Sequence, residues 1–80
     1  MKNRNKGYGN INMVGARIEQ LRKERKISQK DFIAKLQLEG LDINPTSYSK
    51  LEGQIRIATD KEIYTIAKVL NVSTDYLFSN

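Results

Sequence analysis

Residues 28–52, SQKDFIAKLQLEGLDINPTSYSKLE, carry two sets of helix-starting signals with a glycine between them, which limits the fold more than any other stretch. Ser28 with Asp31 three residues later resembles a capping arrangement: the hydroxyl accepts from an amide of the first turn and the carboxylate meets the positive helix end. Phe32, Ile33 and Leu36 continue as an apolar stripe, and Gly40 suits the left-handed residue that closes a helix. A second helix follows, because Asn44 caps and Pro45 fits the first helical position, where its missing N–H costs nothing. Tyr48 and Leu51 share its inner face. Asn44, Pro45, Thr46, Ser47, Ser49 and Lys50 form the outer one, a set of short groups suited to water or to the floor of a DNA groove.

The flanks supply three more helices. One begins near Asn12, with Val14, Ile18 and Leu21 on a single face and Glu19 paired to Lys23 at i, i+4. Arg22, Lys23, Arg25 and Lys26 make its C-terminal end basic, which suits the helix dipole, and Ile27 turns the chain back toward the core. After Glu52 an irregular GQIRIAT segment leaves Ile55 or Ile57 to point inward. Thr59 with Glu62 caps a helix carrying Ile63, Ile66, Ala67 and Leu70 on one face, and Asn71 ends it. Ser73 caps a last short helix, TDYLF, in which Tyr76 and Leu77 close the core. Strand-like alternation persists nowhere, so the expected class is all-α with five helices.

Eighty residues support one small domain. With no cysteine and no histidine there is neither a cross-link nor a zinc site, so stability must come from packing. The absence of a long apolar run or a signal-peptide pattern leads to the expectation of a soluble protein of the cytoplasm. A net charge of +5 favours an anionic partner, although Lys2, Arg4 and Lys6 alone contribute three of those charges. They belong to residues 1–11, expected to form a disordered basic arm ahead of a folded domain at 12–80.

Catalytic chemistry is hard to assemble here. The usual general base and thiol nucleophile are missing, and the carboxylates form no isolated pair. Asp42-Ile43-Asn44 opens like a calcium loop, but Ser47 and Gly53 stand where that loop needs glycine and glutamate. Gly7-Tyr8-Gly9 lacks the strand, lysine and helix of a phosphate-binding loop. No enzyme, cofactor or metal is expected.

The order of the pieces is more specific than any one of them. Ile18-x-x-Leu21-Arg22, Ile27-Ser28-Gln29, Phe32 to Leu36, Ser49-Lys50-Leu51-Glu52, and Ile66 to Ser73 leading to Tyr76-Leu77 together resemble the helix-turn-helix domains of the phage repressor and Cro type, the XRE family. The resemblance implies a five-helix domain that sets its third helix, about residues 45–53, in the DNA major groove as a symmetric homodimer. Carried over by position, it places Thr46, Ser49 and Lys50 toward base edges, with Pro45 giving an apolar contact to a thymine methyl. Gln29, Asn44, Ser47 and Arg56 become candidate phosphate contacts. Arg22 and Glu52 match positions that pair between the first and third helices, a structural ion pair that orients the third. Tyr76 and Phe78 are candidate dimer anchors, with a core lid as the other role for Phe78.

This chain departs from the family pattern in several places. Between Leu36 and Ile43 it has more residues than the family's tight turn, so the second helix runs on to Leu38 or Glu39 before an extended turn. Ile33 and Tyr48 enlarge the seam between the second and third helices. Lys26 and Gln54 stand where relatives carry glycine, making those turns costlier. The expected function is a sequence-specific DNA-binding regulator, a repressor acting on double-stranded DNA. The rival is a protein-interaction module of the same fold, antitoxin-like, using the surface of the second and third helices or the Leu38–Leu41 connector.

Overall fold

Asn12 determines where the first helix starts. In the computed structural model, which describes residues 9–79, its Oδ1 accepts from the amides of Val14 and Gly15, at 3.1 and 2.8 Å. Its Nδ2 donates to the carbonyls of Leu51 and Arg56, each at 2.9 Å. Asn12 stands two residues ahead of the N-cap, Val14, and its bonds hold the entry to the helix, so α1 spans Gly15–Glu24 and begins three residues later than the sequence suggests. It is followed by α2 (Gln29–Leu38), α3 (Pro45–Glu52), α4 (Asp60–Leu70) and α5 (Thr74–Phe78). The described residues contain no strand.

The later helices start on side-chain caps as the sequence indicates. Ser28, Asn44, Thr59 and Ser73 accept from the amides of Asp31, Ser47, Glu62 and Tyr76. At α4 the Glu62 carboxylate also accepts from the Thr59 amide, completing a capping box.

Helices α1 to α4 also share a way of ending. Lys26, Gly40, Gln54 and Asn71 have φ of 57°, 93°, 63° and 58°. The next residue in each case, Ile27, Leu41, Ile55 or Val72, donates its amide back across the last turn to Arg22, Leu36, Lys50 or Ala67. This is the Schellman closure, in which a left-handed residue lets two carbonyls of the last turn find donors. Ile27, Leu41 and Val72 then pack against the core. Ile55 is 48% exposed and Ile57 72%, so neither points inward as expected: Gln54 and Arg56 tie down this loop with hydrogen bonds instead.

The core lies between the helices. Ile18, Phe32, Leu36, Tyr48, Leu51, Ile66 and Leu77 are wholly buried, and the rings of Phe32 and Tyr48 meet edge to face with centroids 5.7 Å apart. Leu77 closes the core alone. Tyr76 stays partly exposed, with the Arg17 guanidinium 4.7 Å from its ring centroid. α1 crosses α3 so closely at Gly15 that an added Cβ would come within 2.5 Å of the Leu51 carbonyl oxygen.

Most of the basic arm expected over 1–11 falls outside the described residues. Its last part lies against the turn after α3, where the amides of Gly9 and Ile11 donate to Gly53 and Gln54, both at 2.8 Å. None of the described helices is long and apolar enough to cross a membrane.

Lys26 and Gln54 bear the left-handed cost of a side chain, about 1 kcal/mol each relative to glycine. Lys26 is exposed, so Lys26→Gly should raise the melting temperature by a few degrees. Gln54→Gly relieves the same backbone but removes the 2.8 Å bond from Nε2 to the Asn12 carbonyl, and should show no such gain. Thermal denaturation of the two variants beside the parent checks both signs.

Candidate nucleic-acid interface

α3 has two chemically distinct sides. Tyr48, Leu51 and Glu52 are buried, whereas Pro45, Thr46, Ser49 and Lys50 are exposed and Ser47 is intermediate. At its start, Asn44 Oδ1 accepts from the Ser47 amide at 2.8 Å, and buried Ile43 pins the connector that leads in. Gln37 Nε2 fastens the same connector by donating to the Ile43 carbonyl at 2.8 Å. The end of the helix is held by Glu52, Gly53 and Gln54. A polar, exposed face is therefore presented by a helix fixed at both ends.

Glu52 is the main fastening. Its Oε2 accepts from Arg22 Nε at 2.9 Å and from the Tyr48 hydroxyl at 2.5 Å. Its Oε1 accepts from Arg22 NH2 and Gln29 Nε2, both at 3.0 Å. Arg22 also donates through NH1 to the Ile27 carbonyl at 2.8 Å, so the guanidinium spans α1, α3 and the turn into α2. The hydrogen bond that Arg22 donates to Glu52, opposed by burial, raises the Arg22 pKa above its ordinary value. Burial first, then the Glu52 charge, pushes the Tyr48 hydroxyl well up, so it stays a neutral donor.

Gln29 is part of this cluster. Its amide nitrogen, expected at a phosphate, is directed to Glu52, while its Oε1 accepts from the Ser49 hydroxyl at 3.0 Å. What the start of α2 offers outward is its backbone: the Gln29 and Lys30 amides are the first-turn donors that a helix leaves unpaired. Lys30, Ala34 and Gln37 line an open groove of about 480 Å³ with Gln29, Ile33 and Pro45, between α2 and the start of α3.

Arg56, also expected at a phosphate, is turned inward. Its Nε donates to the Ser47 carbonyl at 2.9 Å, and NH1 and NH2 clamp the two oxygens of Glu62 at 2.9 and 2.8 Å. Burial pushes the Glu62 carboxyl up, but hydrogen bonds from Arg56 and Thr59 outweigh it and hold the pKa below the usual value. This clamp joins the α3–α4 loop to the capping box of α4. Among the remaining candidates, Tyr76 and Phe78 are each 42% exposed, and Tyr76 is engaged by Arg17. The described residues hold no group of acidic, histidine or cysteine side chains arranged for a metal ion.

Sequence reasoning did not find the Asn12 staple, the Gln29–Ser49 link or Lys30 on the groove. Lys30 had a signal, since it follows Gln29 in the first turn of a capped helix. Asn12 and the link join residues 39 and 20 positions apart, and no local pattern marks such a contact.

Glu52→Ala should cost about 3–5 kcal/mol, because it leaves a buried guanidinium and a buried hydroxyl without their acceptor. Lys50→Ala, on the exposed side of the same helix, should stay within about 0.5 kcal/mol. Urea midpoints compare them, and equal midpoints would contradict the role given to the cluster. A second test concerns acid. The lowered Glu62 pKa means its stabilisation is present above the ordinary carboxylate range and is lost as pH falls through the folded-state value. Glu62→Gln should therefore flatten the acid limb of stability against pH while leaving its shape above pH ~6 unaltered.

Among protein-family models, one described as a helix-turn-helix domain matches residues 15–80. No curated protein and no solved structure matches.

Proposed function

Because the chain belongs to the helix-turn-helix domain family, we propose that it is a sequence-specific DNA-binding regulator, a repressor by occupancy, that lays α3 in the major groove. The observation that carries this reading is the exposed set Pro45, Thr46, Ser49 and Lys50 on a helix whose other side is locked into the core. Lys50 is suited to guanine O6 and N7, Thr46 and Ser49 to polar base edges, and Pro45 to a thymine methyl. The first-turn amides of α2 with Lys30 make the phosphate contact assigned to Gln29, and Asn44 and Ser47 supply another at the start of α3. Arg56 drops out of the phosphate set, since Glu62 and the Ser47 carbonyl occupy it. A homodimer joined through the Phe78 and Tyr76 end places two such faces on half-sites about one helical turn apart.

The competing reading, a partner-binding module, draws on Leu38, which is 87% exposed beside the connector. Salt separates the two. The whole chain, titrated onto a duplex selected from a random pool, should lose affinity steeply between about 50 and 200 mM salt as counterions return to the phosphates. A flat response, or failure to select any duplex, would favour the module. Lys50→Ala should relax base preference by roughly 1–3 kcal/mol at one position, measured as the affinity ratio of the selected duplex to its single-base variants. Unchanged ratios would remove Lys50 from the reading face.

A further inference from the structure

Ser49 is exposed, yet its hydroxyl is not free to point either way. The Oγ lies 3.0 Å from Gln29 Oε1, and the other end of the same amide, Nε2, lies 3.0 Å from Glu52 Oε1. A carboxylate paired with Arg22 has no proton to give, so only the NH2 end of Gln29 can face it. That choice turns the carbonyl end toward Ser49. Two acceptors cannot bond each other, so the single proton of the Ser49 hydroxyl must lie on the line to Gln29. Toward the solvent side of α3 the oxygen then has only lone pairs to offer.

We propose that Ser49 reads DNA as an acceptor, taking a hydrogen bond from the exocyclic amine of adenine N6 or cytosine N4, and that Gln29 is the positioning residue that sets this polarity. The proposal rests on the DNA-binding reading above and adds to it the direction of one contact. An unconstrained serine serves donor and acceptor edges alike, which is why this residue type ordinarily discriminates poorly between bases. Here the buried charge pair acts on the surface through one amide: Glu52 orients Gln29, and Gln29 orients Ser49. Thr46, whose hydroxyl has no partner among the described residues, has no such constraint and serves as the internal comparison.

The test uses the whole chain and a duplex selected from a random pool. The base pair read by Ser49 is the one at which Ser49→Ala loses its preference. At that pair, purine in place of adenine, or pyrimidin-2-one in place of cytosine, deletes the amine, whereas a 7-deaza purine deletes the N7 acceptor. Amine deletion should weaken the parent about three- to tenfold, the scale of one hydrogen bond, and leave Ser49→Ala unaffected. N7 deletion should leave the parent unaffected. In Gln29→Met, similar in length but without the amide, the hydroxyl is released, and the contrast between the two deletions should shrink. Gln29→Ala should act the same way if the methionine disturbs folding, which melting curves report.

The proposal is overturned if the penalty follows N7, if Ser49→Ala changes no base preference, or if folded Gln29 variants keep the full contrast. Failure of the parent to select any duplex is a different result, seen before any variant is made, and it removes the DNA-binding reading itself.

Discussion

The Glu52 carboxylate is the point from which the placement of α3 is determined. Arg22 from α1, Tyr48 from one turn earlier in α3, and Gln29 from the start of α2 all donate to it. Four donors on one buried side chain fix the relative rotation of three helices, since losing any one contact leaves a desolvated polar group. A buried ion pair of this kind is a poor source of net stability, because desolvation cancels much of its Coulomb attraction. Its effect is on geometry. An apolar cluster of equal volume would tolerate small rotations of α3, whereas directional bonds at 2.5–3.0 Å do not.

The helix ends extend that control along the chain. Each of α1 to α4 stops by the same backbone device, so the connectors leave at defined angles. Only one of those four positions is glycine. At Gln54 the residue that bears the left-handed strain also donates from Nε2 to the Asn12 carbonyl. Asn12 in turn bonds to the Leu51 carbonyl near the end of α3, and Gly15 lets the two backbones approach. Strain in a turn is thus offset by a tie between α1 and α3, and the loop after α3 holds its place with two of its isoleucines exposed.

Much of this is legible in the sequence, and the division has a physical cause. Helix starts at Ser28, Asn44, Thr59 and Ser73 were readable because a cap and its partner lie within three residues of each other. The stop at Gly40 and the extension of α2 to Leu38 were readable for the same reason. At Asn12 only half of the role was readable: its bonds to the Val14 and Gly15 amides are local, while those of its Nδ2 run to residues 51 and 56. Gln29 and Arg56 show the complementary limit. A polar side chain near an expected groove reads as a ligand until the fold reveals a nearer acceptor, Glu52 for one and Glu62 for the other.

The composition of the proposed reading face makes the rigidity behind it necessary. Lys50 reaches outward on four flexible carbons and can find an acceptor despite small errors in helix position. Serine and threonine have a single rotatable bond before the oxygen, so their reach is set almost wholly by the backbone. A displacement of a few tenths of an ångström moves such an oxygen in or out of hydrogen-bond range, because the useful window spans only about half an ångström. A face built from Thr46 and Ser49 is therefore useful for discrimination only on a helix that cannot shift. The carboxylate buried beneath it, with Arg22 and Tyr48 held to the same atoms, supplies that condition. On the proposed DNA-binding reading, the polar core and the polar surface of α3 are two parts of one device: buried bonds set the position that exposed hydroxyls would need in order to distinguish one base edge from another.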